Sequence, residues 1–274
     1  MANANQVKLL MGSVQQWNQW RRDQEPMRSG DPEDDLSDDE KAAILDRGIV
    51  EGFQAVQEYR GVRVDLADAE LAGAKLIGAN LEGADLRNAD LSGADLSGTN
   101  LSGANLENAE LGGADLSGAW LGRARLTNAS LCGADLERAI PTHADLDGAD
   151  LRGAILINVD LDFSTLRYAR LTGATLDGAD LTRADLTGAD LRRANMVGAN
   201  LTRARLSGAV LDGADLTKAD LSGADLTDAT LSGSKLSGAN LAGTMLGQAG
   251  RVFQFDETDY SPPNSMNSSE ANSA

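Results

Sequence analysis

Leucine returns at every fifth position over two thirds of the chain. From residue 66 to residue 246 the series has 37 members, of which 35 are Leu, and the two exceptions are Pro141 and Met196. Ala stands two residues before 31 of these positions, Asp or Asn stands one residue before 21 of them, and Gly stands two residues after 21. The register never shifts, even through Pro141. A repeat this regular indicates one stacked architecture.

A period of five residues matches neither an α-helix nor a long β-strand, whose periods are about 3.6 and 2.0. It is typical of a coil that turns a corner every five residues. Leu and the Ala two before it are predicted to point inward, while the other three positions face solvent. Gly two residues after Leu supplies the positive φ that a type II turn needs. Stacked coils would line up their Leu side chains as one continuous core.

Runs such as ADLSG at 94–98, TNLSG at 99–103 and ADLTG at 184–188 resemble the pentapeptide-repeat family, and the resemblance covers residues 64–248. It implies an all-β solenoid, a right-handed quadrilateral β-helix with four pentapeptides per coil and about nine coils, roughly 45 Å long at a strand spacing of ~4.8 Å. We therefore predict three segments: an N-terminal helical cap and acidic linker over 1–63, the β-helix over 64–248, and a C-terminal cap and disordered tail over 249–274.

Apolar residues at helical spacing predict two amphipathic helices that cover the first coil. One spans residues 5–22, and the other follows a capping box formed by Ser37 and Glu40. Their apolar positions are Val7, Leu10, Val14 and Trp17 in the first helix, and Leu45, Ile49, Phe53 and Val56 in the second. The WNQWRR stretch at 17–22 resembles the N-terminal segment of some cyanobacterial pentapeptide-repeat proteins. At the other end, the residues expected to close the last coil are Val252, Phe253 and Phe255.

Composition narrows the class of protein. Aromatic residues make up only 4% of the chain, which disfavours an ordinary core of large side chains. The net charge is −18, which disfavours a cationic surface that could bind nucleic acid or an anionic membrane. Cys132 is the single cysteine, so no intramolecular disulfide is possible and a reducing compartment is expected. The N-terminus lacks the pattern of a secretory signal. We expect a cytoplasmic monomer with a protein partner.

The sequence offers no catalytic constellation. His143 and Cys132 are single residues of their kinds without metal-ligand spacing, and the repeat itself generates paired carboxylates automatically. We therefore expect neither enzymatic activity nor a metal or cofactor.

Departures from the repeat concentrate on a few neighbouring coils, at one height along the predicted solenoid. The stretch RAIPTHADL, residues 138–146, replaces the usual Asp, Leu and Gly by Ile140, Pro141 and His143. With four pentapeptides per coil, residues 20 apart stack, which assembles bulky and cationic residues on neighbouring faces. Such a cluster has the composition of a partner-binding surface. Its predicted members are Trp120, Arg123, Arg138, Ile140, His143, Ile155, Ile157, Phe163, Tyr168, Arg183 and Arg203.

Other interpretations stay open at this point. Bulky residues two after Leu could mark coils with a different turn, and Arg183 and Arg203 could pair with Asp180, Asp185 or Asp225 to relieve stacked negative charge. The favoured function is a non-enzymatic interaction scaffold or regulator. The alternative is a DNA mimic that modulates a DNA enzyme such as gyrase, a type II topoisomerase, which should show an unbroken acidic stripe. An effector delivered into host cells is a third possibility.

Overall fold

Two short helices lie against a rod of stacked coils in the computed structural model, which describes residues 2–24 and 64–246. The helices are α1 (Ala4–Gly12) and α2 (Val14–Gln24). We number coil 1 as residues 65–84 and each later coil as the next twenty residues, through coil 9 at 225–244. Each coil has four faces, numbered 1 to 4 along the chain, so that face 4 comprises 80–84 and its equivalents. No helix within the described ranges is long and apolar enough to cross a membrane.

Parallel backbone pairing joins each coil to the next. The residue before each Leu forms a parallel β-bridge with the residue twenty positions later, from Asp65 with Asp85 to Asp225 with Met245. There are 32 such single-residue bridges, in place of extended strands. One bridge of the series is missing, between Ile140 and Asp160, because Pro141 has no N–H to donate. The predicted right-handed, four-sided β-helix is confirmed.

Leucine and alanine fill the interior as the repeat predicts. The Leu side chains from coil 1 through coil 8 are fully or almost fully buried, and so are the Ala residues two positions before them. Thr99 and Ser164 replace Ala at two of these inward positions. Their hydroxyls donate to backbone carbonyls, Thr99 to Leu76 at 2.8 Å and Ser164 to Leu161 at 2.6 Å. The core therefore accepts small polar side chains where a carbonyl lies within reach.

Asp and Asn before Leu have a structural role that the sequence pattern did not reveal. At all 21 such positions the side-chain oxygen accepts a hydrogen bond from the backbone N–H two residues later, for example Ser117 N–H to Asp115 at 2.9 Å. This is the Asx turn, which satisfies a backbone donor at each corner. The acidic surface is therefore largely a by-product of corner geometry.

The predicted helix over 5–22 is wrong in one respect, because it is two helices with a break at Ser13. Ser13 adopts an extended conformation, and its hydroxyl accepts a hydrogen bond from the N–H of Gln16, as an N-cap does. Gly12 precedes it, so the dipeptide Gly-Ser carries the sequence signal for a helix end followed by a helix start.

Side chains of both helices hydrogen-bond to the backbone of coil 1 on the side that no described coil covers; from α1, Gln6 Oε1 accepts from the Asp65 N–H at 2.8 Å. From α2, Trp17 Nε1 donates to the Asn80 carbonyl at 2.7 Å, and Arg21 Nη2 donates to the Glu82 carbonyl at 2.8 Å. Asn18 accepts from the Asn80 N–H at 2.7 Å. The WNQWRR stretch thus binds the open edge, which would otherwise present unpaired donors and acceptors. The predicted helix after Ser37, the closing residues Val252, Phe253 and Phe255, and the tail lie outside the described residues.

Candidate protein-binding surface

Five consecutive coils place a non-glycine residue at the corner that ends face 4. We call this set the corner column; it consists of Arg123, His143, Phe163, Arg183 and Arg203. Before and after it, the same corner carries glycine, at 83, 103, 223 and 243. All five side chains are exposed. The column extends along one edge of the rod from coil 3 to coil 7.

The centre of the corner column is a three-layer stack. The imidazole of His143 lies parallel to the ring of Phe163, with centroids 5.0 Å apart and planes 10° apart. On the opposite side, the guanidinium carbon of Arg183 lies 4.8 Å from the centroid of the same ring. Such a cation–π contact contributes about 0.5–1 kcal/mol at an exposed site. The stack holds Phe163 in place while leaving 42% of it exposed.

The corner column uses the same turn as the glycine-bearing coils. Non-glycine residues two after Leu have φ between +54° and +61°, and the glycines at equivalent positions have φ between +61° and +71°. The interpretation that bulky residues mark a different turn is therefore wrong. A left-handed conformation costs a side-chain-bearing residue on the order of 1–2 kcal/mol. Ten other non-glycine residues at this repeat position share the conformation, so the corner column is distinguished by the kind of side chain it carries and not by its backbone.

Arginines elsewhere on the coils are mostly neutralised, whereas those of the corner column are not. Of the twelve arginines in residues 64–246, eight lie within 3.5 Å of an Asp or Glu oxygen. Asp185, one predicted partner of the column, pairs instead with Arg205 at 3.2 Å. Within residues 64–246, the four arginines that form no ion pair are Arg123, Arg183, Arg193 and Arg203, and three of these belong to the column.

An apolar pair lies beside the corner column on the flat part of face 4. Trp120 and Ile140 stand on adjacent coils as partners in one β-bridge, and they are 43% and 41% exposed. Pro141 is buried in the Leu position next to Ile140. The N–H of Leu121 reaches the Ile140 carbonyl at 3.1 Å, longer than the 2.7 Å of the equivalent bond from Leu101. Face 4 is therefore both more apolar and less tightly paired at this height.

Two carboxyl groups on face 4, close to the corner column, have raised pKa values. Burial raises the pKa of Asp160 and of Asp162, the nearby charge of Asp180 raises both further, and His143 opposes the shift. Arg183 also lowers the pKa of Asp162 but does not cancel the effect. One oxygen of Asp162, Oδ1, is buried without a hydrogen-bond partner in the described part of the chain. Polar groups that are incompletely compensated therefore lie close to the charged members of the corner column.

The remaining predicted residues lie on the neighbouring faces. Arg138, Ile155 and Ile157 belong to face 3, on coils 4 and 5, and Arg138 pairs with Glu137 at 3.5 Å. Tyr168 lies at the far corner of face 1, where its ring covers Gly188, 2.7 Å from the position of a Cβ atom on that glycine. Face 1 separates Tyr168 from the corner column. Membership of these four residues in one binding surface stays a prediction.

Sequence reasoning missed a shallow depression at the upper end of the corner column. It is lined by Thr182, Arg183, Thr202, Arg203, Ser222 and Gly223. The available signal was the 20-residue spacing. It stacks the hydroxyl residues Thr182, Thr202 and Ser222 in one column and Arg183, Arg203 and Gly223 in the next.

Comparisons with known proteins agree with this architecture. The family model described as pentapeptide repeats matches in eight copies over residues 65–103, 109–140, 144–183, 184–223, 194–233, 204–243 and 224–249. Among solved structures, the chain is similar to HetL from the cyanobacterium Nostoc sp. strain PCC 7120, a protein involved in heterocyst differentiation regulation. The identity is 31% over 77% of this chain and 93% of that chain, with a TM-score of 0.43.

Two further structures show the same kind of likeness. Rfr23 from the cyanobacterium Cyanothece 51142 is 38% identical over 35% of this chain and 63% of its own, with a TM-score of 0.32. QnrB1, a plasmid-mediated fluoroquinolone resistance protein, is 22% identical over 66% of this chain and 94% of its own, with a TM-score of 0.45. No curated protein matches the chain. The continuous repeat, the four-sided coils and the matching family model together show that this chain belongs to the pentapeptide-repeat family.

Proposed function

We propose that this protein is a non-catalytic rod that binds a protein partner through face 4 of coils 3–7. One observation carries the proposal: the corner column presents stacked aromatic and unpaired cationic side chains on a surface whose other arginines are mostly paired. Trp120 and Ile140 add exposed apolar surface beside it. Trp and Arg are the residues that most often dominate binding energy at protein interfaces.

The rigidity of the rod supports this function. Backbone hydrogen bonds to both neighbouring coils hold the face 4 backbone except at Pro141, and the stack holds Phe163, so little conformational entropy is lost on binding. The geometry also disfavours nucleophilic chemistry. Cys132 lies on face 2 and His143 on face 4 of the same coil, and these faces are opposite each other. The two side chains therefore cannot form a thiolate–imidazole pair.

Affinity capture from the native cell lysate tests the proposal, with bound proteins identified by mass spectrometry. Three baits are compared: wild type, the double variant Trp120→Ala/Phe163→Ala, and Ile77→Ala. Ile77 is a matched control because it is 56% exposed and lies on coil 1, away from the corner column. We expect a protein that wild type and Ile77→Ala retain and the double variant loses. Equal retention by all three baits, with unchanged thermal unfolding, would contradict the proposed surface.

The alternative, a DNA mimic that acts on a type II topoisomerase, rests on charge. Residues 64–246 contain 26 acidic and 15 basic residues, a net charge of −11. However, no outward column in the described coils has more than three acidic residues in succession, as at Asp95, Asp115 and Asp135. Duplex DNA carries one charge per about 1.7 Å along its axis. If gyrase were captured equally by wild type and by the double variant, the acidic surface and not face 4 would be the binding site.

A further inference from the structure

We propose that the depression between Arg183 and Arg203 binds an oxyanion, either a carboxylate or a phosphate group, carried by the protein partner. This inference rests on the proposed function and specifies the chemistry of that partner: an acidic or phosphorylated side chain next to an apolar one. The apolar side chain would contact Trp120 and Phe163, and the oxyanion would bind further along the same corner, on coils 6 and 7.

The two arginines line the depression from the same corner of adjacent coils. The guanidinium carbon of Arg183 lies over the ring of Phe163, 4.8 Å from its centroid. Arg203 extends toward coil 8, and its Cγ lies 3.4 Å from the position that a Cβ atom on Gly223 would take. The glycine therefore provides the space that the Arg203 side chain occupies. Between them, the corners of three coils leave an open concavity.

Neighbouring carboxylates do not use the guanidinium donors. Asp180 accepts from the N–H and the hydroxyl of Thr182, at 2.9 and 2.6 Å. Asp220 accepts from the N–H of Ser222 at 2.8 Å and from Asn240 at 3.1 Å. Each guanidinium has five N–H donors in a planar fork, the geometry that matches carboxylate and phosphate oxygens. Most arginines elsewhere on the coils use their N–H donors in ion pairs, whereas Arg183 and Arg203 do not, so their donors are available to a ligand.

Hydroxyl groups on the floor of the depression add donors of a second kind. Thr202 and Ser222 stand on adjacent coils with their oxygens 3.5 Å apart, a contact too long to be a strong hydrogen bond. The Ser222 hydroxyl also interacts with the Asp220 carboxylate and lowers its pKa, whereas the Thr202 hydroxyl can rotate to donate to a bound oxyanion. Two guanidinium groups and the Thr202 hydroxyl therefore form a short row of donors along this corner.

The charge of the rod determines which anions can use this site. With a net charge of −11, residues 64–246 repel a long polyanion. A single oxyanion in direct contact with the guanidinium groups gains charge-assisted hydrogen bonds of about 1.5–3 kcal/mol, while more distant acidic residues are screened beyond about 8–10 Å. The site therefore fits one anchored anionic group, and it disfavours a nucleic acid or an anionic membrane.

Arginine Nε–H resonances of the full chain, labelled with [¹⁵N]arginine, test the inference without knowledge of the partner. Sodium acetate and inorganic phosphate are titrated separately at constant ionic strength, so that the two arms distinguish a carboxylate from a phosphate. The matched control is Arg193, which also forms no ion pair and lies over a glycine, Gly213, at a corner of face 2. The same corner of the two adjacent coils carries Gly173 and Gly213, so Arg193 has no second arginine in its column and reports ordinary weak anion contact.

We expect saturable shifts at Arg183 and Arg203 with at least one anion, with an affinity about tenfold higher than at Arg193. In Arg203→Gln, the shift at Arg183 should fall to the Arg193 level while the thermal unfolding curve is unchanged. Linear shifts of equal size at all three arginines, in both arms, would overturn the inference. The proposed function has its own test: if the captured partner depends on Trp120 and Phe163 but binds Arg183→Gln/Arg203→Gln normally, the oxyanion site is wrong and the interface stands.

Discussion

Replacing Pro141 by leucine should stabilise the rod, because proline interrupts the backbone ladder of face 4. At every other Leu-series position of coils 1–8 except Leu121, the N–H donates to the carbonyl nineteen residues later at 2.6–2.8 Å. Pro141 donates nothing, no N–H in the described part of the chain reaches the Asp160 carbonyl, and the neighbouring bond from Leu121 is lengthened to 3.1 Å. Pro141→Leu restores the missing donor and the side chain that the rest of the column uses.

The magnitude follows from three contributions. A restored backbone hydrogen bond contributes about 1 kcal/mol, and the additional buried carbon of leucine contributes about 0.8 kcal/mol. Against these, the unfolded chain regains the freedom that proline removes, a loss of about 0.4–1 kcal/mol. The free energy of unfolding should therefore rise by about 1 kcal/mol, which corresponds to roughly a fivefold change in an opening equilibrium.

Native-state amide hydrogen exchange is the appropriate assay, because it reports the opening of single bonds along the rod. In wild type, the Leu121 amide should exchange faster than the amides of Leu101 and Leu181, whose bonds are both 2.7 Å long. In Pro141→Leu, its protection should rise about fivefold. The control is Met196→Leu, since Met196 already donates at 2.8 Å and the swap conserves volume.

The reasoning is refuted if Pro141→Leu leaves the protection of Leu121 unchanged, or if Met196→Leu produces the same gain. The first outcome would show that the ladder already accommodates proline without loss. The second would show that side-chain packing, and not the missing N–H, limits stability at the non-leucine positions.

Three further predictions concern the corners. Asp115→Ala should lower the free energy of unfolding by about 1 kcal/mol because the Ser117 N–H loses its acceptor, whereas Asp115→Asn, which keeps the acceptor, should be nearly neutral in chemical denaturation. Gly188→Ala should cost more than the 1–2 kcal/mol of its left-handed φ alone, and adding Tyr168→Ala should remove the excess that comes from the ring 2.7 Å away. Arg192 lowers the pKa of Asp190 to about 2, from about 4 in the unfolded chain. The Asp190 carboxylate therefore stabilises the fold above pH 4, and this stabilisation is lost as the pH falls toward 2. Asp190→Asn should lower the guanidinium midpoint of unfolding at pH 6 but not at pH 2.

Spacing alone predicted the stacked column of His143, Phe163 and Arg183, because a strict 20-residue coil places equivalent residues above one another. It could not predict that the Arg183 guanidinium stacks on Phe163 while the Arg203 side chain leans over Gly223, since both arginines occupy the same repeat position. Tyr168 shows the same limit: its height was predictable, but its orientation over Gly188 depends on the empty corner of the next coil.

The sequence by itself determined the period, the inward Leu and Ala columns, the turn at each corner and the height at which the surface departs from the repeat. These features follow from local geometry, because each position of a five-residue repeat has the same backbone conformation and the same orientation in every coil. The tertiary structure decided which groups are paired. Whether Asp185 neutralises Arg183 or Arg205, and which side chains of α2 complete the edge at Asn80, depends on distances between coils and helices that no local pattern encodes. The unpaired arginines of the corner column, on which the proposed function depends, became visible only at that level.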